Sequence, residues 1–223
     1  MNQEQALSLL KETKLVAILR GIPVKQATDI ATALYDGGVR VLEFTFDHDD
    51  PDCVAHNCQR IRAVKKIFGD EMVVGCGTAL TVQEVEASVE AGGQIVISPN
   101  VDVSVIAKTK ALGAISMPGA LTPTEIVMAY NAGADIVKLF PAGTLGVPYI
   151  KAVRGPLGYI PMSAVGGVRP ETIADFLNVG VCGFGVGGEL VKKEFVRSGD
   201  MNALTSRARK FVHAIEQWEA NRS

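Results

Sequence analysis

The run Ile136-Val137-Lys138-Leu139-Phe140 places a lysine inside a stretch that otherwise belongs in a core. Burying an ammonium costs several kcal/mol unless it is paired or neutralised. Desolvation lowers a lysine pKa, and a neutral amine in such a place is a nucleophile for carbonyl carbon. The alternative is a lysine paired in the core or reaching an edge. A second apolar run, Val41-Leu42-Glu43-Phe44-Thr45, is interrupted by a carboxylate. Glu43 could pair with Lys138, or act as a general acid/base with a pKa raised by burial. The two roles are compatible, since an amine that forms an imine and a carboxylate that moves protons are the parts of a Schiff-base site.

Further candidates end other apolar runs. Arg20 closes Ala17-Ile18-Leu19-Arg20, where it is either a surface charge or a fork that binds a substrate carboxylate with two parallel hydrogen bonds. Thr78, in Gly75-Cys76-Gly77-Thr78, either meets a ligand or caps the following helix. Gly166-Gly167 and Gly187-Gly188 each follow an apolar run. Such loops, opening onto a helix N-terminus, can seat a phosphate. Glu189 complicates that reading, because a carboxylate pointing inward there would repel the phosphate. His48 and His56 stand among Asp47, Asp49, Asp50 and Asp52 and read as a solvated loop rather than a metal site, and His213 reads as structural.

These residues need elements to hold them. Short apolar runs occur at Leu15–Leu19, Val41–Phe46, Met72–Gly75, Gln94–Ile97, Ala114–Met117, Ile136–Phe140, Pro161–Val165 and Gly183–Val186. They lack alternation, as parallel strands covered on both faces do. Between them lie amphipathic stretches: Val24–Tyr35, Asp52–Phe68, Thr81–Ala91, Asp102–Leu112, Thr122–Asn131, Pro148–Arg154 and Glu171–Val179. Thr81 with Glu84 forms a capping box, and several helices end in glycine. Gln3–Lys11 adds a helix before the first strand. Met201–Asn221, or residues just before it, supplies the last. Eight such units predict a single (β/α)8 TIM-type barrel over residues 1–223, with an open doubly wound sheet as the alternative. No Gly-x-Gly-x-x-Gly follows the first strand, which counts against a dinucleotide cofactor. In such barrels chemistry sits at the C-terminal ends of the strands, where Arg20, Thr78, Lys138 and the glycine pairs fall.

Composition narrows the classes. Lys plus Arg number 22 against 24 Asp plus Glu, a net charge of −2 with no basic tract, so neither nucleic acid nor anionic lipid is an expected partner. No run approaches the ~20 apolar residues of a membrane span. The N-terminus lacks the positive region of a signal peptide. Cys53, Cys58, Cys76 and Cys182 form no Cys-x-x-Cys pair, so the expectation is a reducing cytoplasm and neither zinc nor a disulfide framework.

From about Leu15 to Leu190 the chain resembles the KDPG/KHG aldolase family, which cleaves 2-keto-3-deoxy-6-phosphogluconate and 4-hydroxy-2-oxoglutarate. The resemblance is carried by Ala17-Ile18-Leu19-Arg20-Gly21, Gly37-Gly38-Val39-Arg40-Val41-Leu42-Glu43, Gly75-Cys76-Gly77-Thr78, Ile97-Ser98-Pro99-Asn100, Pro118-Gly119, Val137-Lys138-Leu139-Phe140-Pro141-Ala142 and Val165-Gly166-Gly167-Val168. It implies a (β/α)8 barrel, a homotrimer, no metal and no cofactor. It further implies Lys138 as the Schiff-base lysine and Glu43 as the proton-transfer carboxylate. Arg20 and Thr78 would hold the carboxylate and keto end of the substrate, Pro99 and Phe140 would line the pocket, and Gly166, Gly167, Gly187 and Gly188 would take the phosphate.

Two departures make the rim more negative. Asp47 stands where many members carry a basic residue, and Glu189 where many carry a small one. The expected activity is class I cleavage of a 2-keto-3-deoxy sugar acid, the 6-phosphogluconate or its galacto epimer, to pyruvate and an aldehyde. An unphosphorylated 4-hydroxy-2-keto acid is the alternative substrate. A phosphate-binding barrel isomerase or epimerase, and a non-catalytic binding protein, are the alternatives of other classes.

Overall fold

The computed structural model describes residues 1–222. Its strands are β1 (Leu15–Leu19), β2 (Val41–Thr45), β3 (Val73–Gly77), β4 (Ile95–Ile97), β5 (Ile115–Met117), β6 (Gly119–Ala120), β7 (Val137–Leu139), β8 (Met162–Val165) and β9 (Gly183–Val186). All pair in parallel in the order β5-β4-β3-β2-β1-β9-β8-β7-β6. The nine strands make eight staves, because β5 and β6 are one stave broken at Pro118. Proline has no N–H to give to a ladder. Before the break the stave pairs with β4, and after it with β7, so it closes the ring. The Pro118 carbonyl still accepts from Lys138 N–H at 2.8 Å. Gly119 lets the stave come close to Pro99 here, since a Cβ would stand 2.3 Å from the Pro99 carbonyl oxygen.

The helices are α1 (Gln3–Thr13), α2 (Ala27–Asp36), α3 (Cys53–Phe68), α4 (Val82–Glu90), α5 (Val103–Ala111), α6 (Pro123–Asn131), α7 (Ala142–Leu157), α8 (Ile173–Asn178), α9 (Lys193–Ser198) and α10 (Met201–Ala220). Gly38, Gly92, Gly133 and Gly180 follow helices at φ of 94°, 98°, 100° and 89°, the left-handed turns expected of them. One helix differs from expectation. α7 begins at Ala142 rather than Pro148, because its first turn is split off by Gly146 (φ 74°, ψ 166°). Of the two sources named for the last helix both are helical, α9 being the short one just before α10.

Two apolar layers result. Strand side chains facing outward, such as Leu42, Phe44, Val74 and Leu139, pack with the helices. Those facing inward form the barrel floor: Val16, Val41, Val73, Ile95, Ile115 and Ile136, with Ala6 and Leu10 of α1 against them. α1, started by an Asn2 capping box, therefore plugs the N-terminal end of the barrel. A packed floor leaves the C-terminal mouth as the place for a ligand.

Candidate active site

A cavity of about 530 Å³ opens at that mouth. Every residue singled out for chemistry lines it: Lys138 and Glu43, Arg20 and Thr78, Pro99 and Phe140, and both glycine pairs. Lys138 rises from β7 and is only 7% exposed. Burial pushes its amine below the ordinary lysine value; the charge of Glu43 pulls the other way, and Arg20 adds to the lowering. The amine sits 5.1 Å from the centroid of the Phe140 ring, which is itself open to the mouth. Glu43, on β2, is 2% exposed. Burial pushes its carboxyl up to about 7, against the opposing pull of Lys138 and Arg20.

Of the two roles open to Glu43, the direct pairing with Lys138 is not found among the described residues. The two sense each other's charge, yet no ion pair joins them, and Glu43 Oε2 is buried without a hydrogen-bond partner. A structural salt bridge would have satisfied both groups. What the cavity presents instead is an amine and a carboxylate, each made easier to neutralise and each unengaged.

Arg20 sits at the rim just beyond β1, exposed and facing the cavity. Thr78 does not cap α4; that role belongs to Thr81, whose hydroxyl accepts from Glu84 N–H at 3.2 Å while the Glu84 carboxylate accepts from Thr81 N–H at 3.0 Å. Thr78 takes φ 56°, unusual for a β-branched residue. The loop that carries it is held by buried Glu84, whose carboxylate also accepts from Leu80 N–H at 2.7 Å and meets His48 Nε2 at 2.7 Å. His48 and His56 thus have carboxylate partners, the latter Asp50 at 2.7 Å.

Neither glycine pair opens directly onto an α-helix. Gly166 and Gly167, at φ 90° and 72°, lead through a single 3-10 turn (Pro170–Thr172) to α8. Gly187 and Gly188 run into an isolated turn, where Leu190 and Val191 N–H donate to the Gly187 carbonyl, and α9 starts only at Lys193. Both loops nevertheless line the same cavity. Gly143 N–H donates to the Gly166 carbonyl at 2.7 Å, which fixes the first glycine loop against the start of α7.

The two acidic departures part company. Asp47 is exposed and outside the cavity lining. Glu189 does line it, but Arg207 of α10 donates to its carbonyl at 2.8 Å and to its carboxylate at 3.3 Å. Its negative charge is thereby shared with a cation. Sequence reasoning did not anticipate Arg207, nor Ile18, Val165 and Gly185 in the lining. Gly183, Gly185 and Gly187 recur every second residue, a signal that β9 turns a bare face inward. The remaining histidine, His213, is exposed on α10, 3.9 Å from the Glu216 carboxylate.

The family model for KDPG and KHG aldolase matches residues 7–207. A probable 2-dehydro-3-deoxy-6-phosphogalactonate aldolase of Rhizobium meliloti (strain 1021) is 37% identical over 182 residues, 81% of this chain and 83% of that one. A KHG/KDPG aldolase of Escherichia coli (strain K12) is 32% identical over 95% of this chain and 96% of its own length. A solved structure described as native KDPGal superposes with a TM-score of 0.83 at 32% identity, covering 92% of this chain and 96% of that one. With a cavity of this composition at the mouth of the same barrel, the chain belongs to the KDPG and KHG aldolase family.

Proposed function

We propose that Lys138 and Glu43 perform a class I aldol cleavage of a 2-keto-3-deoxy-6-phospho sugar acid, with the galactonate as the first candidate and the gluconate as the second. The order follows the relatives, since the 6-phosphogalactonate aldolase is 37% identical and the KHG/KDPG aldolase 32%. The observation that carries the mechanism is the buried Lys138 amine, lowered by burial and free of a direct ion pair, in one cavity with a carboxyl raised to about 7.

The chemistry follows. Neutral Lys138 Nζ attacks the C2 ketone; the carbinolamine loses water and becomes a protonated imine. Glu43, as carboxylate, takes the C4 hydroxyl proton. The C3–C4 bond breaks, its electron pair passes into the imine, and an aldehyde and an enamine result. Glu43 returns the proton to C3, and water releases pyruvate and the free lysine. A carboxyl near 7 can take and return a proton at neutral pH with little bias either way. Arg20 and Thr78 are assigned to the substrate carboxylate, with Phe140 and Pro99 as walls. Gly166, Gly167, Gly187 and Gly188 are assigned to the phosphate. The proposal includes no metal or cofactor, action of the chain as one domain, a cytoplasmic location and homotrimeric assembly. No helix among the described residues is long and apolar enough to cross a membrane.

One observation favours the unphosphorylated 4-hydroxy-2-oxoglutarate as an alternative, namely Glu189 on the cavity wall. Its tie to Arg207 argues for the phosphorylated substrates. The test is pyruvate release, measured by coupled oxidation of NADH, from the two phosphorylated epimers and from 4-hydroxy-2-oxoglutarate. The proposal expects the phosphorylated galacto acid to have the highest kcat/KM. Preference for 4-hydroxy-2-oxoglutarate would select the alternative, and no pyruvate from any of the three by folded protein would overturn both.

A further inference from the structure

Residues 77 and 78 reverse the ordinary preferences of the backbone. Gly77 ends β3 in extended geometry that any residue adopts, whereas Thr78 takes the left-handed φ of 56° that favours glycine. Glycine inside a strand weakens it and often marks a place where another group comes close. Thr78 is among the residues that line the cavity. Gly77 is absent from that lining, and its backbone does not require glycine.

The close group is Glu43. By register Glu43 lies opposite Gly75, and Thr45 lies opposite Gly77. The Glu43 carboxylate nevertheless rests over Gly77. A Cβ there would fall 1.3 Å from Oε2, 2.0 Å from Cδ and 2.3 Å from Oε1, and these three atoms are its nearest neighbours. The side chain therefore leans one strand pair toward the mouth, the end at which substrate enters. Oε2 has no hydrogen-bond partner to hold it in place. Its position is set by shape, and the shape is the missing side chain at 77.

We propose that Gly77 is a positioning residue for the aldol reaction: the notch it leaves in β3 seats the Glu43 carboxylate at the height of the substrate. The claim rests on Glu43 being the proton-transfer group, so its test includes a control for that role. Gly77→Ala would force the carboxylate off its seat. The expected loss is about 100-fold or more in kcat with KM changed far less, the size seen when a general acid/base is lost. The rise of activity with pH that Glu43 gives near 7 should disappear with it.

The decisive readout is the partner substitution. In the wild-type background Glu43→Asp withdraws the carboxylate and lowers kcat. In the Gly77→Ala background the shorter aspartate fits beneath the new methyl, so Asp should outperform Glu there. Losses that simply multiply, or Gly77→Ala with kcat within about threefold of wild type, would overturn the proposal. Glu43→Gln run alongside separates the failures: wild-type kcat in that variant sinks the role of Glu43 itself, whereas a dead Glu43→Gln with an active Gly77→Ala sinks only the seat. Where Gly77→Ala alone fails to fold, Gly77→Ala/Glu43→Ala should fold, because it removes the atoms that the Cβ meets. An unfolded double variant would show that the methyl clashes elsewhere and would overturn the proposal.

Discussion

Glutamine in place of Glu43 should stabilise the protein, and increasingly so as pH rises. Burial raises the carboxyl from 4.5 to about 7, even against two cations. The folded value exceeds the unfolded one, so the folded state holds the proton more tightly. The contribution of Glu43 to stability is therefore full below about pH 4.5 and is lost as pH climbs through about 7. Each pH unit of that interval is worth about 1.4 kcal/mol, so the wild type forfeits about 3 kcal/mol on passing from acid to mildly alkaline solution. Glutamine has nearly the same shape and does not ionise, so it carries no such loss. Its effect on Lys138 has the same sign: without the carboxylate the amine is lowered further, and a lowered lysine regains stability as pH rises. The assay is urea unfolding of both proteins at one concentration, at about pH 5 and about pH 8.5. The advantage of the variant should grow by about 3 kcal/mol between the two, while turnover is lost, as when a destabilised site serves activity. An advantage that does not change with pH would refute the reasoning, because Glu43 would then ionise in the fold as readily as in water.

Other outcomes follow from the same geometry. In the proposed cleavage Lys138 and Glu43 both act deprotonated, so kcat/KM should rise with pH through about 7; a profile that falls between pH 6 and 8 would contradict those roles. Arg207→Ala should expose the Glu189 charge and raise KM for a phosphorylated substrate by about tenfold at low salt, leaving an unphosphorylated one unchanged. Adding Glu189→Gln to that variant should restore KM, and failure to do so would exclude the charge explanation. Leu10→Ala removes a buried side chain of the floor plug and should cost about 2–4 kcal/mol in urea unfolding without changing KM.

Much of this was legible in the sequence because burial makes polar residues conspicuous. Lys138 and Glu43 stand out only against the apolar strands around them, and the alternation of strand and helix puts Arg20 and both glycine pairs at one rim. What stayed hidden depends on contacts distant in sequence or on interruptions too short to have a period. β6 is two residues long and lies behind Pro118, so the closing stave reads as a single run. The first turn of α7 lies before Gly146 and Pro148, which read as a break. Glu189 looks like an uncompensated charge until α10 brings Arg207 beside it across 18 positions. The seat at Gly77 is invisible because a glycine in a strand does not announce what fills its missing side chain. Conversely, opposite charges on two strands left a direct Glu43–Lys138 pairing open, and the structure does not make it: β1, β9 and β8 stand between β2 and β7, and Glu43 Oε2 has no hydrogen-bond partner.

The proposed cleavage depends above all on Lys138 being a nucleophilic amine at the mouth of the barrel. Incubation with pyruvate, reduction with borohydride and peptide mass mapping test it most directly. The expected result is one reduced pyruvate adduct, on Lys138, absent from Lys138→Ala. Folded protein with no adduct, or with the adduct on another lysine, would contradict it.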